Sequence, residues 1–251
     1  MIANYNNQYY LEECIKSIKS QTYKNIEVIF HDDFSSDESL IKASKFKNLK
    51  IIKNKKRGKF GSFNQMNAYQ RAFNKSTGEI IFFLDSDDFF KKNKVKDTVN
   101  EFLKNNKISA IFDLPIIKYE KKMKFAKNKK KLLDNYWPYI PPQSCISIRR
   151  KHFKKMMNKI NFNLFPDIWM DFRIALYLKY ISKNFFILNN NLTFYRQSPK
   201  MVSSNFKFLS TSWLKRRMQA HNYVKYFYLK NKINYKKNLD YFITAFVNLF
   251  I

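Results

Sequence analysis

A doubly wound α/β sheet is the fold class that this sequence predicts, on three observations. Segments with strand and helix periodicity alternate over the first ~110 residues, the pattern of a mixed, mainly parallel sheet covered by helices. Glu79 to Leu84 form a continuous apolar run, as in strands buried on both faces of such a sheet. Two acidic turns follow apolar strands, and ligands of open α/β sheets gather at the carboxyl ends of strands. With 45% hydrophobic and 18% aromatic content, 251 residues suffice for one substantial core. One main domain over residues 1–205 is therefore expected, with a C-terminal appendage over residues 206–251.

Met1 to Ala3 reads as the tail of a first strand, closed by the polar turn Asn4-Tyr5-Asn6-Asn7. Leu11, Cys14, Ile15 and Ile18 then recur at helical spacing. Ile26 to Phe30 is rich in strand formers and runs into the acidic, serine-rich turn His31 to Ser39, which completes a β-α-β unit. Leu49 to Ile52 supplies a further short strand, and Phe63, Met66, Ala68, Ala72 and Phe73 mark one side of another helix. Beyond the apolar run and its acidic turn, Lys118 to Lys131 is strongly basic, as expected of an exposed loop or insertion. Regular structure resumes at Cys145 to Ile148, with helices expected around Phe153 to Ile160 and from near Asp171. From about Phe206 the chain is basic, aromatic and helical, over Trp213 to Leu229 and Lys236 to Phe250. There is no internal repeat.

Composition removes several classes. Three glycines and six prolines argue against a collagen-like, linker-like or disordered chain. Cys14 and Cys145 are far apart and have no CxxC spacing, which leaves a disulfide framework or zinc site little support and fits a reducing cytoplasm. The N-terminus lacks the succession of a signal peptide. Tyr241 to Ile251, interrupted by Asn248, is too short to span a bilayer, which takes about 20 residues. The net charge of +29 predicts attraction to polyanions, either an anionic membrane surface or nucleic acid. Part of that excess is compositional, since Lys, Asn, Ile and Phe are abundant together.

The sharpest local signal is Phe82-Phe83-Leu84-Asp85-Ser86-Asp87-Asp88. Carboxylates this close repel one another unless a cation or a set of hydrogen-bond donors shares them. A hard divalent ion, Mn²⁺ or Mg²⁺, bridging to diphosphate oxygens would satisfy them. An acidic turn capping the next helix is the competing reading. In His31-Asp32-Asp33-Phe34-Ser35-Ser36-Asp37, helix capping accounts for Ser35, Ser36 or Asp37 but not for both Asp32 and Asp33.

Together these turns resemble the family 2 inverting glycosyltransferases of the GT-A nucleotide-sugar fold. The resemblance begins at Ile2-Ala3-Asn4-Tyr5-Asn6-Asn7 and passes through Leu11 to Ile18, Gln21-Thr22-Tyr23 and Ile26 to Ile29 into Asp32-Asp33. It resumes at Thr77-Gly78-Glu79-Ile80-Ile81 and runs into Asp85 to Asp88, covering about residues 2–200 in all. By position it implies that Tyr5 stacks on the nucleobase, Asp33 hydrogen-bonds that base, and Asp85 lies near the donor ribose. It further implies that Asp87 holds the metal and diphosphate, with Asp88 a weaker metal candidate. Arg57 and Lys59 are candidates for the diphosphate, or belong to a solvated loop.

An inverting transfer needs one carboxylate to deprotonate the acceptor hydroxyl. Asp171, in Trp169-Met170-Asp171-Phe172-Arg173, looks like the family base, with Asp167 its near competitor. Pro141 to Ile146 resembles part of the family's acceptor wall, where Gln143 and Ser144 could contact a sugar. Tyr195-Arg196-Gln197, followed by Val202-Ser203-Ser204, looks like a closing segment in which Arg196 pairs with the donor diphosphate, a surface ion pair being the alternative. No Gln-x-x-Arg-Trp motif occurs, which argues against a processive synthase. No histidine is assigned to metal. Relatives carry several apolar residues before the Asn-Tyr-Asn turn, and here only Met1-Ile2-Ala3 stand there; the true start lies upstream or the first strand is shortened.

The expected partners are a nucleotide-sugar donor, a glycan or glycolipid acceptor of the lipopolysaccharide, lipooligosaccharide or capsule type, and an anionic membrane surface. The expected location is cytoplasmic, peripheral on the inner face of the membrane. Nucleic acid is not an expected partner: basic and aromatic residues permit it, but no recognisable nucleic-acid-binding module accompanies them. A catalytically dead, membrane- or partner-binding relative is disfavoured because Asp33, Asp87 and Asp171 are all in place.

Overall fold

The computed structural model describes residues 1–127, 137–138, 141–160, 163–197 and 206–251. Two sheets meet at the site. The first is all parallel, in the order β3 (Leu49–Lys53), β2 (Val28–Asp32), β1 (Ile2–Asn4) and β5 (Leu84–Asp85). With β1 between β2 and β5, both acidic turns leave the same edge of this sheet on either side of the Asn4-Tyr5 turn. The second sheet is mixed, in the order β4 (Ile80–Phe82), β9 (Ile146–Arg149), β7 (Ala110–Lys118), β10 (Phe185–Arg196) and β6 (Phe89–Phe90), with β8 (Met123–Phe125) paired to β7.

The apolar run Glu79 to Leu84 departs from the single parallel strand expected of it. Ile80 to Phe82 pair antiparallel to β9, whereas Leu84 and Asp85 pair parallel to β1. At the crossing, the Phe83 N–H donates to the Ile146 carbonyl and the Leu84 N–H to the Met1 carbonyl. Burial on both faces is what the apolar pattern encodes, and it does not specify strand direction.

The helices follow their apolar faces. α1 (Leu11–Lys19) buries Leu11, Cys14 and Ile15 against β1 and β2 in a core with Ile2, Phe30 and Leu84. α2 (Ser39–Ser44) has Glu38 at its N-cap position with no side-chain cap bond, and Asp37, one residue earlier, accepts the Ser39 N–H at 2.9 Å. α3 (Gly61–Lys75) places Met66, Tyr69 and Phe73 in the second, larger core with Phe83, Phe112, Ile148 and Phe153. α4 (Lys94–Lys104) leads into β7, α5 (Arg150–Met157) follows β9, and α6 (Met170–Tyr177) begins at the site.

α7 (Thr211–Lys230) packs Ala220, Tyr223, Val224 and Phe227 against Ile168, Phe172 and Leu176 at α6. The C-terminal region thus shares a core with the body of the protein, and α8 (Leu239–Val247) runs antiparallel along α7. No described helix is long and apolar enough to cross a membrane. Residues 128–131 of the basic segment, and Val202-Ser203-Ser204, lie outside the described residues.

Candidate active site

Three turns build one cavity of about 400 Å³, lined by Tyr5, Asp33, Asp85, Asp87, Gln143 and Asp171 among others. The turns after β1 and β2 are laced together. Asp32, fully buried, accepts from Asn4 Nδ2 at 2.8 Å, from the Ser35 N–H at 2.9 Å and from Ser35 Oγ at 2.6 Å. These bonds hold Phe34 at φ 63°, a left-handed conformation costing about 1–3 kcal/mol for a bulky residue. Asp32 is therefore the organiser of the turn, and Asp33 is the carboxylate presented to the cavity.

Asp33 accepts from Asn54 Nδ2 at 2.7 Å and from Arg57 Nε at 2.9 Å. Burial raises its pKa above the usual carboxylate range, against the pull of Asn54 and Arg57. The Arg57 guanidinium also lies 3.6 Å above the Tyr5 ring. Arg57 is thus committed to the Asp33 and Tyr5 end of the cavity rather than free for diphosphate, while Lys59 is exposed and does not line the cavity.

On the other side of β1, Asp85 accepts from Gln65 Nε2 and Tyr69 Oη, each at 2.8 Å, both from α3. Burial, then the neighbouring Asp87, pushes its pKa up to about 7. Asp87 also faces the cavity with a raised pKa, again from burial first. Among the described residues no cation is ion-paired with the carboxylate of Asp85 or Asp87.

Asp88 differs from expectation. It points away from the cavity, is 1% exposed, and has both oxygens engaged, one by Ser144 Oγ at 2.6 Å and the other by the Arg196 N–H at 2.8 Å. Its geometry is that of a brace between the turn leading into β9 and the last residue of β10, not of a metal ligand facing the cavity. Arg196, expected at the donor diphosphate, does not line the cavity: its guanidinium donates to the Asp87 carbonyl at 2.7 Å and to Glu13 at 2.6 Å. With the Arg196 N–H on Asp88 and its guanidinium on Glu13, Tyr195 is the residue of this segment that lines the cavity.

Asp171 stands in the first turn of α6 and enters the cavity beside Trp169 and Arg216. Burial raises its pKa to about 7, opposed by the Phe172 N–H and then by Arg216. Asp167 is taken up elsewhere, its carboxylate accepting from Gln219 Nε2 on α7 at 2.8 Å. Of the two, Asp171 alone reaches the cavity. Ser144 is internal, whereas Gln143, 5% exposed and lining the cavity, has both amide atoms without a partner. A buried amide in that state is poised for a ligand.

Arg216 carries no signal in the sequence beyond its place in a basic helix. α7 brings it back across the site, where its Nε donates to the Asp167 carbonyl at 2.9 Å and its guanidinium covers the Trp169 ring at 4.1 Å. Gln65 and Tyr69 were equally invisible, being unremarkable positions on an amphipathic helix.

The family model for glycosyl transferase family 2 matches residues 1–173, the span that supplies every one of these carboxylates. The chain belongs to glycosyl transferase family 2. An uncharacterized glycosyltransferase of Nostoc sp. is 28% identical over 78% of this chain and 63% of its own length. The UDP-Glc:alpha-D-GlcNAc-diphosphoundecaprenol beta-1,3-glucosyltransferase WfgD of Escherichia coli is 33% identical over 42% of this chain. The chain covers 41% of that enzyme's length, so the likeness is to one part of it. Among solved structures, S. aureus TarS in complex with UDP-GlcNAc superposes with a TM-score of 0.63 at 16% identity, over 87% of this chain and 64% of that one. The mannosyltransferase PcManGT of Pyrobaculum calidifontis, in complex with GDP-Man and Mn²⁺, gives 0.57 at 14% identity, over 99% and 68%. The shared fold is GT-A, an α/β sheet with a C-terminal helical region.

Proposed function

We propose that this family 2 member transfers a sugar from a nucleotide diphosphate sugar to a hydroxyl of a lipid-linked surface-glycan acceptor, of the lipopolysaccharide, lipooligosaccharide or capsule type, with inversion. The observation that carries the reading is the convergence of Asp33, Asp85, Asp87 and Asp171 on one cavity of a size suited to a nucleotide sugar. The acceptor class rests on WfgD, whose name gives a diphosphoundecaprenol-linked sugar as its acceptor. Cytoplasmic work at the inner face of the membrane follows from that acceptor.

In this scheme Tyr5 and Asp33 take the nucleobase, Asp85 accepts a hydrogen bond from a ribose hydroxyl, and the Gln143 amide binds sugar hydroxyls. The site fits a divalent cation: Asp85 and Asp87 both line the cavity, burial raises both pKa values and Asp87 raises that of Asp85 further, and among the described residues neither carboxylate is in an ion pair, although the Arg196 charge pulls on Asp87. Asp87 would hold it. No described cluster of three or more His, Cys, Asp or Glu could hold a metal ion by itself, so a cation held by Asp87 would depend on the bound donor for further ligands. Mn²⁺ or Mg²⁺ bound there would offset the charge growing on the leaving diphosphate, and PcManGT with GDP-Man and Mn²⁺ supports that expectation.

Asp171 accepts the acceptor hydroxyl's proton as that oxygen bonds to the anomeric carbon. The bond from that carbon to the diphosphate oxygen breaks on the opposite face, and the diphosphate leaves with the electron pair. A pKa of about 7 suits a base that must be ionised before attack and hold a proton after it. Screening the purified chain with Mn²⁺ against a panel of nucleotide sugars, by thermal shift and donor hydrolysis, tests this reading. One nucleotide class should stabilise the protein, and chelation should abolish the effect. Indifference to every member of the panel contradicts the proposal.

A further inference from the structure

α8 is amphipathic in the inverted sense: its polar stripe faces the protein and its apolar stripe faces out. Asp240, Thr244 and Asn248 recur one per turn on the inner side. Asp240 accepts from Arg217 at 2.8 Å and from Trp137 Nε1 at 2.9 Å, Thr244 is buried, and Asn248 Nδ2 donates to the Leu214 carbonyl at 3.3 Å. On the outer side Leu239, Phe242, Ile243, Phe246, Leu249 and Phe250 are 55–78% exposed. Their spacing at i, i+3, i+4 and i+7 makes one continuous face. Phe208 and Leu209, 76% and 64% exposed, stand just before α7, at the end of the helix pair where α8 finishes. A large contiguous apolar face of this kind marks an interaction surface.

We infer that this face docks on an anionic lipid bilayer. Charge decides the occupant. Residues 206–251 contain nine Lys and Arg against the single acid Asp240, and all seven of those lysines are exposed. Lys237 lies over the Tyr241 and Phe242 rings at the start of the apolar face. Aromatic and aliphatic side chains flanked by lysines suit a helix lying in the headgroup layer. A second copy of the chain is a poor occupant, because it would bring +29 against +29. α8 has nine residues, too few to span the bilayer, so it lies in the plane.

The sequence marks the whole stretch from Trp213 to Phe250 as interfacial. The structure narrows the surface to α8 and its flanks, because Tyr223, Val224 and Phe227 of α7 are inside the core. The helix pair also ties this surface to the site: Arg216 lines the cavity while the next residue, Arg217, holds Asp240 of α8. Docking would set the cavity beside the surface that carries a lipid-linked acceptor. Only that consequence rests on the proposed function; the docking does not.

Co-sedimentation of the full chain with phosphatidylglycerol/phosphatidylcholine vesicles and with phosphatidylcholine alone tests the inference. The comparison protein is the triple variant Phe242→Ser, Ile243→Ser, Phe246→Ser, all at exposed positions. The wild type should bind only the anionic vesicles. The variant should bind them at least about tenfold more weakly, from the lost apolar burial, with its melting temperature and donor-induced thermal shift unchanged. Equal binding by the two proteins, equal binding to neutral vesicles, or no vesicle binding overturns the inference. So does a wild-type dimer in sedimentation equilibrium that the variant converts to monomer. Donor binding is read separately, so a failed screen of nucleotide sugars and a failed docking surface are distinguishable.

Discussion

Asp171 gains from the amide dipoles at the start of α6 and from Arg216, yet burial outweighs both and lifts its pKa to about 7. A base with a raised pKa is protonated and inactive at low pH. kcat/KM should therefore rise with pH through about 7 and flatten above it, in a profile taken with saturating metal. Asp171→Asn should lower transfer by roughly 10²–10⁴-fold with donor binding intact, whereas the same phenotype in Asp167→Asn would move the assignment. Gln143→Ala removes an uncharged hydrogen-bonding group, so KM should rise about three- to tenfold with kcat little changed. Steady-state kinetics separate these effects.

At the scale of elements, the site depends on what the surrounding strands and helices hold in place. Lys94 at the start of α4 is buried and ion-paired with Asp113 of β7, and its ammonium also donates to the Ser144 carbonyl at 2.9 Å. Ser144 in turn braces Asp88 and accepts the Asp85 N–H at 3.0 Å. Lys94→Met would leave the Asp113 charge buried without its partner and should destabilise the fold by about 3–5 kcal/mol, read in urea unfolding. Arg216 brings α7 into the cavity, and its positive charge favours ionised Asp171. Arg216→Ala should consequently shift the acidic limb of the pH profile upward, an effect that lost packing alone would not produce.

Over the whole molecule, the features legible in the sequence are those with local causes. β1, α1 and β2 follow from apolar period, and two acidic turns at strand ends locate the cavity because adjacent parallel strands share one edge. Asp33, Asp85, Asp87 and Asp171, singled out by the family resemblance, all line that cavity. Asp88 and Arg196 do not line it, because their partners Ser144 and Glu13 are tertiary facts that no motif carries. Arg216, Gln65 and Tyr69 become visible only when helices distant in sequence pack over the cavity. The inverted polarity of α8 depends on knowing which of its faces meets α7. The central claim, a metal-assisted nucleotide-sugar site with a separate base, is tested most directly by calorimetric titration of the donor found in the screen. Wild type, Asp87→Asn and Asp171→Asn would each be titrated with and without Mn²⁺. The account predicts metal-dependent binding by wild type and Asp171→Asn and its loss in Asp87→Asn; donor binding by Asp87→Asn as tight as that of wild type would contradict it.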